Sequence, residues 1–186
     1  MNPSCADLLE AINSVPSQNV ILLPNNKNII PTAKQAVALA DKTVRVLPTR
    51  SIPQGLAALV GFNRETQLDT NLKEMTQAQG RVRSIEVTRA VRDARRGSLQ
   101  IARGSFIGLV DGDIKVASPT LEQTVFESLQ TVSPQTAEII SLFYGDQIKP
   151  EHATQLGDAL KRQYKGIEVE VLAGGQPHYP YIISVE

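Results

Sequence analysis

Two runs of amide, hydroxyl and cationic side chains carry most of the recognition chemistry in this sequence. They are Asn25-Asn26-Lys27-Asn28 and Thr49-Arg50-Ser51, the second continuing through Ile52 and Pro53 to Gln54. Such groups exchange hydrogen bonds and attract anions or acidic surfaces. Neither run contains a carboxylate, thiol or imidazole, so the chemistry points to recognition ahead of acid–base or nucleophilic catalysis. Each follows a short apolar run, Val20 to Pro24 and Val44 to Pro48, and precedes a helix-starting signal. That order suits strands of a parallel sheet, which binds ligands and partners beyond its carboxyl ends. A plainer alternative stays open: Asn tolerates left-handed backbone and Ser51 can cap a helix, so both runs could serve as turns alone.

Two further groups stand out. Between residues 81 and 103 lie Arg81, Arg83, Arg89, Arg92, Arg95, Arg96 and Arg103, set against Glu86 and Asp93. This is either a solvated face or a docking surface that steers association, with Arg92, Arg95 and Arg96 as candidates. No aromatics interleave with these arginines, which weakens a nucleic-acid role. The segment Gly174-Gly175-Gln176-Pro177-His178-Tyr179-Pro180-Tyr181 joins two glycines and two prolines to rigid amphipathic rings. Gln176, Tyr179 and Tyr181 are contact candidates, the alternative being a stiff turn into the last strand. Phosphate-cradling glycine motifs and nucleophile elbows are missing, and His152 and His178 lack metal-ligand spacing with each other or with Cys5.

The elements that would position these groups follow from periodicity and capping. Ser4, with Asp7 three residues on, starts a helix through Leu8, Leu9 and Ile12. Strands at about 19–24 and 43–47 alternate with two helices. The first is capped by Asn25, Asn26 or Asn28 and carries Ile29, Ile30, Ala33, Val37 and Leu39. The second is capped by Ser51, with Leu56, Leu59 and Val60 on its inner face. This succession predicts a parallel, layered α/β subdomain, 1–80, closed by a helix over 66–79. Residues 81–186 read as an α+β subdomain with a mixed sheet: a strand over 82–89, a hairpin at 106–116 turning on Asp111-Gly112, helices near 119–130 and 150–164, and strands at 137–143, 167–172 and 180–185. The two are expected to pack as one body.

The chain has 186 residues, 41% of them hydrophobic, with Lys plus Arg equal to Asp plus Glu at 19 each. That balance argues against a general nucleic-acid or membrane-surface binder. One cysteine and no long apolar run predict a soluble protein of a reducing cytoplasm.

Taken together, Met1-Asn2-Pro3-Ser4, Leu22 to Ile29, Pro48 to Gly55, Ala90-Val91-Arg92-Asp93, Phe106-Ile107-Gly108 and Gly174 through Tyr181 to Glu186 resemble the C-terminal region of the fatty acid kinase large subunit. That family is also described as dihydroxyacetone-kinase-like, or DAK2-domain fusion, proteins. The resemblance covers nearly the whole chain in order. It implies a DegV-like fold and a non-catalytic module that docks the fatty-acid-carrying DegV-like subunit, so that a separate domain of the large subunit can form the acyl phosphate. ATP and magnesium are then expected on that separate N-terminal domain, with no cofactor or metal in this chain. The implied partners are the DegV-like protein and the rest of the large subunit, with no nucleic acid and no membrane span; a homodimer stays open. The turn Ala94 to Ser98 is more basic than the family's usual acidic or glycine-containing one. A regulatory domain binding an acyl or phosphorylated metabolite is the alternative, and an enzyme acting alone the third. The start at a methionine inside the family motif predicts a fragment, with an exposed edge on the strand at 19–24 or its neighbour and a loosely held helix at 4–14.

Overall fold

A computed structural model describes residues 2–186; Met1, the first residue of the leading motif, lies outside the described residues. The backbone divides into two units, one running to Val82 and the other from Arg83 to Glu186.

In the first unit, α1 (Cys5–Ser14) starts on a capping box in which the Asp7 amide donates to the Ser4 hydroxyl and the Ser4 amide donates to the Asp7 carboxylate. Those Ser4 bonds hold the Asp7 carboxyl below the usual carboxylate range. Strands β1 (Asn19–Leu22) and β2 (Thr43–Val46) pair in parallel, joined by α2 (Ile30–Leu39). Helices α3 (Ile52–Val60) and α4 (Leu68–Gln79) follow. The two faces of the small sheet are covered differently. Val20 and Val44 pack with Leu8 and Ile12 of α1 and Ala33 and Ala36 of α2, whereas Leu47 packs with Ala58 and Met75 of α3 and α4.

Three expectations for this unit need correction. Helix α1 is firmly held: Leu8 and Ile12 are buried, and the Lys42 ammonium donates to the carbonyls of Ile12, Asn13 and Val15 at its end. No asparagine side chain caps α2; Ile29 holds the cap position with a proline in the first turn. Leu56, Leu59 and Val60 do not form the inner face of α3, because Pro53, Gly55 and Ala58 do, leaving Val60 88% exposed. Small residues let this helix sit close to the turns beneath it, and the larger side chains are turned to solvent.

The second unit is built on a six-stranded mixed sheet in the order β7-β6-β3-β10-β8-β9. Its strands are β3 (Arg83–Arg89), β6 (Phe106–Val110), β7 (Asp113–Ser118), β8 (Ile139–Tyr144), β9 (Glu168–Ala173) and β10 (Tyr181–Val185). Only β8 and β9 are parallel, linked by α6 (Pro150–Gln163); every other pairing is antiparallel. Helix α5 (Leu121–Thr131) and α6 pack on one face, over Ile85, Val87, Ile140, Leu142 and Ile183. A short hairpin, β4 (Ala94–Arg96) with β5 (Leu99–Ile101), stands where the sequence shows only the basic turn Ala94 to Ser98. Gly97 at its tip has a φ of 58°, which glycine adopts without strain.

Candidate functional site

The two polar turns of the first unit meet, and they meet mostly each other. Asn25 adopts a φ of 53°, and its amide donates to Thr49 Oγ1 at 3.0 Å while that hydroxyl donates to Asn25 Oδ1 at 2.8 Å. Thr49 is fully buried. Gly55 faces the same carboxamide so closely that an added Cβ would lie 2.2 Å from Asn25 Oδ1. Asn26 Oδ1 accepts from the Asn28 amide at 2.9 Å, closing an Asx turn. Ser51 caps α3 by accepting from the Gln54 amide, and Gln54 Oε1 accepts from the Arg50 amide at 2.8 Å. Thus Asn25 and Thr49 tie the two turns together, and Ser51 and Gln54 brace the second from within. Lys27 and Arg50 carry the exposed charge there.

In the second unit, the arginines divide by partner. Arg83 pairs with Asp111 at 2.6 Å, and Arg89 lies 4.1 Å over the Phe106 ring while donating to Gly104 O. Arg92, Arg95 and Arg96 are exposed on and just before β4, beside Val91 at 83% exposure. Arg95 Nε donates to Gly97 O at 3.2 Å. The hairpin therefore presents Arg95 and Arg96 on a short antiparallel ladder, with Arg92 just before it.

The 174–181 segment is latched by Gln176, whose Nε2 donates to Phe143 O at 3.0 Å and Tyr179 O at 3.1 Å. Gly145 is required beneath it: an added Cβ would lie 2.5 Å from Tyr179 O. Tyr179 is half-buried, and burial together with the Glu86 charge raises its phenol above the ordinary value. Tyr181, expected as a contact ring, is instead a core residue at 2% exposure, because it opens β10 at the centre of the sheet. Burial, with a smaller contribution from the Glu122 charge, pushes its phenol up to about 12. It lines a groove of about 390 Å³ between α5 and α6, with Glu122, His152, Gln155 and Arg162. Sequence reasoning passed over this groove, since its members come from three elements.

Also unforeseen was the apolar surface of α3, where Ile52, Leu56, Leu59 and Val60, with Phe62 just beyond, are each at least 44% exposed. The available signal was a helix apolar on every side apart from Gln54. Among the described residues, no three His, Cys, Asp or Glu side chains converge to hold a metal ion, and no helix is long and apolar enough to cross a membrane.

The family model for the FakA-like C-terminal domain of fatty acid kinase matches residues 1–186. The chain belongs to this family. Protein YloV of Bacillus subtilis strain 168 is 38% identical over the whole chain, which covers 34% of YloV. A Staphylococcus aureus strain USA300 protein is 34% identical with the same coverage. The chain thus spans about a third of the length of these curated relatives. Solved structures show the fold to be DegV-like. The DegV family protein Cg2579 of Corynebacterium glutamicum superposes with a TM-score of 0.69 at 16% identity, over 99% of this chain and 83% of that one. The Streptococcus pneumoniae fatty acid kinase B3 protein, loaded with linoleic acid, gives 0.63 at 13% identity, over 99% and 76%. The dihydroxyacetone kinase of C. freundii, solved with AMP-PNP and Mg2+, gives 0.62 at 14% identity, over 98% and 41%. The fatty acid kinase C-terminal family therefore shares its architecture with both lipid-loaded and kinase chains.

Proposed function

We propose that this domain is the non-catalytic docking module of a fatty acid kinase, receiving the DegV-like subunit that carries the fatty acid while a domain outside residues 1–186 binds ATP and magnesium and phosphorylates the carboxyl group. The observation that carries this reading is the match of the kinase's C-terminal family model along the entire chain. The surface chemistry agrees with it. In the turns Asn25, Thr49 and Ser51 are engaged with one another or with α3, whereas Arg92, just before β4, and Arg95 and Arg96 on it project into solvent. A basic cluster on a chain of zero net charge attracts an acidic patch on a partner and speeds encounter without adding much affinity. Lys27 and Arg50 add a second cationic position at the turns.

Two measurements test the proposal. Immobilised chain should capture DegV-like proteins from the same genome. The chain alone, given ATP, magnesium and fatty-acid-loaded partner, should form no acyl phosphate. Turnover by this chain alone would overturn the non-catalytic assignment, and failure to retain any DegV-like protein would overturn the docking role.

A further inference from the structure

The groove between α5 and α6 is walled by polar side chains that the protein itself leaves unengaged. His152, Gln155, Ala159 and Arg162 follow one another at three- and four-residue steps along α6, so they form one stripe along the groove. Glu122 comes from the other helix, in the first turn of α5. Among the described residues, none of Glu122, His152, Gln155 and Arg162 commits its side chain to a hydrogen bond or ion pair with another protein group. All four are exposed, so water alone could satisfy them. Tyr181 is different. Only 2% of it is exposed, and a phenol packed in an apolar core is costly without a hydrogen-bond partner. No protein group among the described residues hydrogen-bonds its hydroxyl. The Tyr164 hydroxyl, likewise without a partner, is sealed from solvent. Tyr181 instead lines the groove, so its partner can enter there.

The chemistry of the walls selects what can enter. A lone anion would meet the Glu122 carboxylate, and a lone cation the Arg162 guanidinium. An acyl chain would find only Leu121, Leu156 and Ala159 to lie on, and a nucleobase would find no ring to stack on, because Tyr181 is buried. A small molecule carrying both an ammonium and a carboxylate satisfies both walls. Its carboxylate takes the planar fork of Arg162, which binds such groups through two parallel N–H···O bonds, and its ammonium donates to Glu122. Gln155 and the Tyr181 hydroxyl remain for its polar backbone atoms. The groove's 390 Å³ is at the small end of the range for small-molecule sites. We propose that the α5–α6 groove binds a small zwitterion, an amino acid or dipeptide, between Glu122 and Arg162 with Tyr181 beneath it. This inference does not rest on the docking proposal.

Calorimetric titration of the full chain tests it, first with pools of free amino acids and then with pools of dipeptides. The N-acetylated and C-amidated forms of each binder, inorganic phosphate and a fatty acid serve as comparisons. Saturable binding with a Kd of about 1 mM or tighter is expected from at least one pool, and which pool binds identifies the source. Blocking either the ammonium or the carboxylate should weaken it about tenfold or more. Glu122 and Arg162 are exposed, so Glu122→Gln and Arg162→Gln leave the fold intact, and each should weaken binding about tenfold. Tyr181→Phe keeps the ring in the core and should weaken binding about fivefold. No saturable binding from any pool would overturn the inference. So would blocked forms or phosphate binding as tightly as the zwitterion, a fatty acid displacing it, or an affinity that ignores all three substitutions.

Discussion

Replacing Gly55 by alanine should destabilise the chain in one background and stabilise it in another. Gly55 lies within α3, where alanine is favoured over glycine by roughly 0.5–1 kcal/mol. Against that gain stands the Asn25 carboxamide, since the new Cβ would fall 2.2 Å from Oδ1, 2.7 Å from Cγ and 2.8 Å from Nδ2. The carboxamide cannot step aside freely, because Oδ1 accepts from the buried Thr49 hydroxyl. Overpacking of this kind costs about 1–3 kcal/mol. The net expectation for Gly55→Ala is a loss of about 1 kcal/mol, or a fall in Tm of about 2–4 °C for a chain of this size. Asn25→Gly removes the obstructing side chain and tolerates the φ of 53°. In that background Gly55→Ala should gain roughly 0.5–1 kcal/mol from helix propensity alone. The coupling between the two changes is therefore about 2 kcal/mol, which a double-mutant cycle reads directly. Urea unfolding, with amide exchange in β1 and β2 reporting on the first unit, supplies the four values. Equal effects of Gly55→Ala in the two backgrounds would show that α3 does not rest on Asn25.

Three further outcomes are expected. Tyr181 has a phenol raised to about 12 from an ordinary 10.0, so its favourable contribution is complete below about pH 10 and disappears as pH rises toward 12. Tyr181→Phe should flatten the alkaline fall in stability over that window, leaving the smaller slopes of Tyr164 and Tyr179, and an unchanged alkaline profile would remove the assignment. Ser128 Oγ is buried with no hydrogen-bond partner among the described residues, so Ser128→Ala should be neutral or stabilising by chemical denaturation, and a loss of about 2 kcal/mol or more, the value of a real buried hydrogen bond to it, would mean the hydroxyl has a partner. Changing Arg92, Arg95 and Arg96 together to Glu should slow association with the DegV-like partner and flatten its salt dependence in stopped-flow binding, whereas an unaltered rate at low salt would free the hairpin of any steering role.

The legible parts of the fold were those in which local signals agreed. Ser4 with Asp7, and Asp111-Gly112 between apolar runs, placed a helix start and a hairpin because caps and tight turns are written in a few adjacent residues. The α3 face was misjudged for a physical reason. Its large apolar side chains suggested burial, but Gly55 and Ala58 allow the closer approach, and the closer approach decided which side faces inward. The Asn25–Thr49 lock joins residues 24 apart, and no local pattern announces such a bond. Tyr181 was misjudged even though the expected strand at 180–185 includes it: following Gly-Gly and two prolines, its ring suggested a contact surface, while register with Val87 and Tyr144 buries it in the central strand. For Asn25, Thr49 and Gln176 the sequence left recognition and turn-making open, and their bonds show them holding backbone turns in place.

The central claim is most directly tested by titrating the purified chain against a DegV-like protein of the same genome, loaded with a long-chain fatty acid, in a calorimeter at low and at physiological salt. Docking predicts saturable binding at both, weaker as salt rises. No heat and no change in sedimentation at either salt would contradict the account.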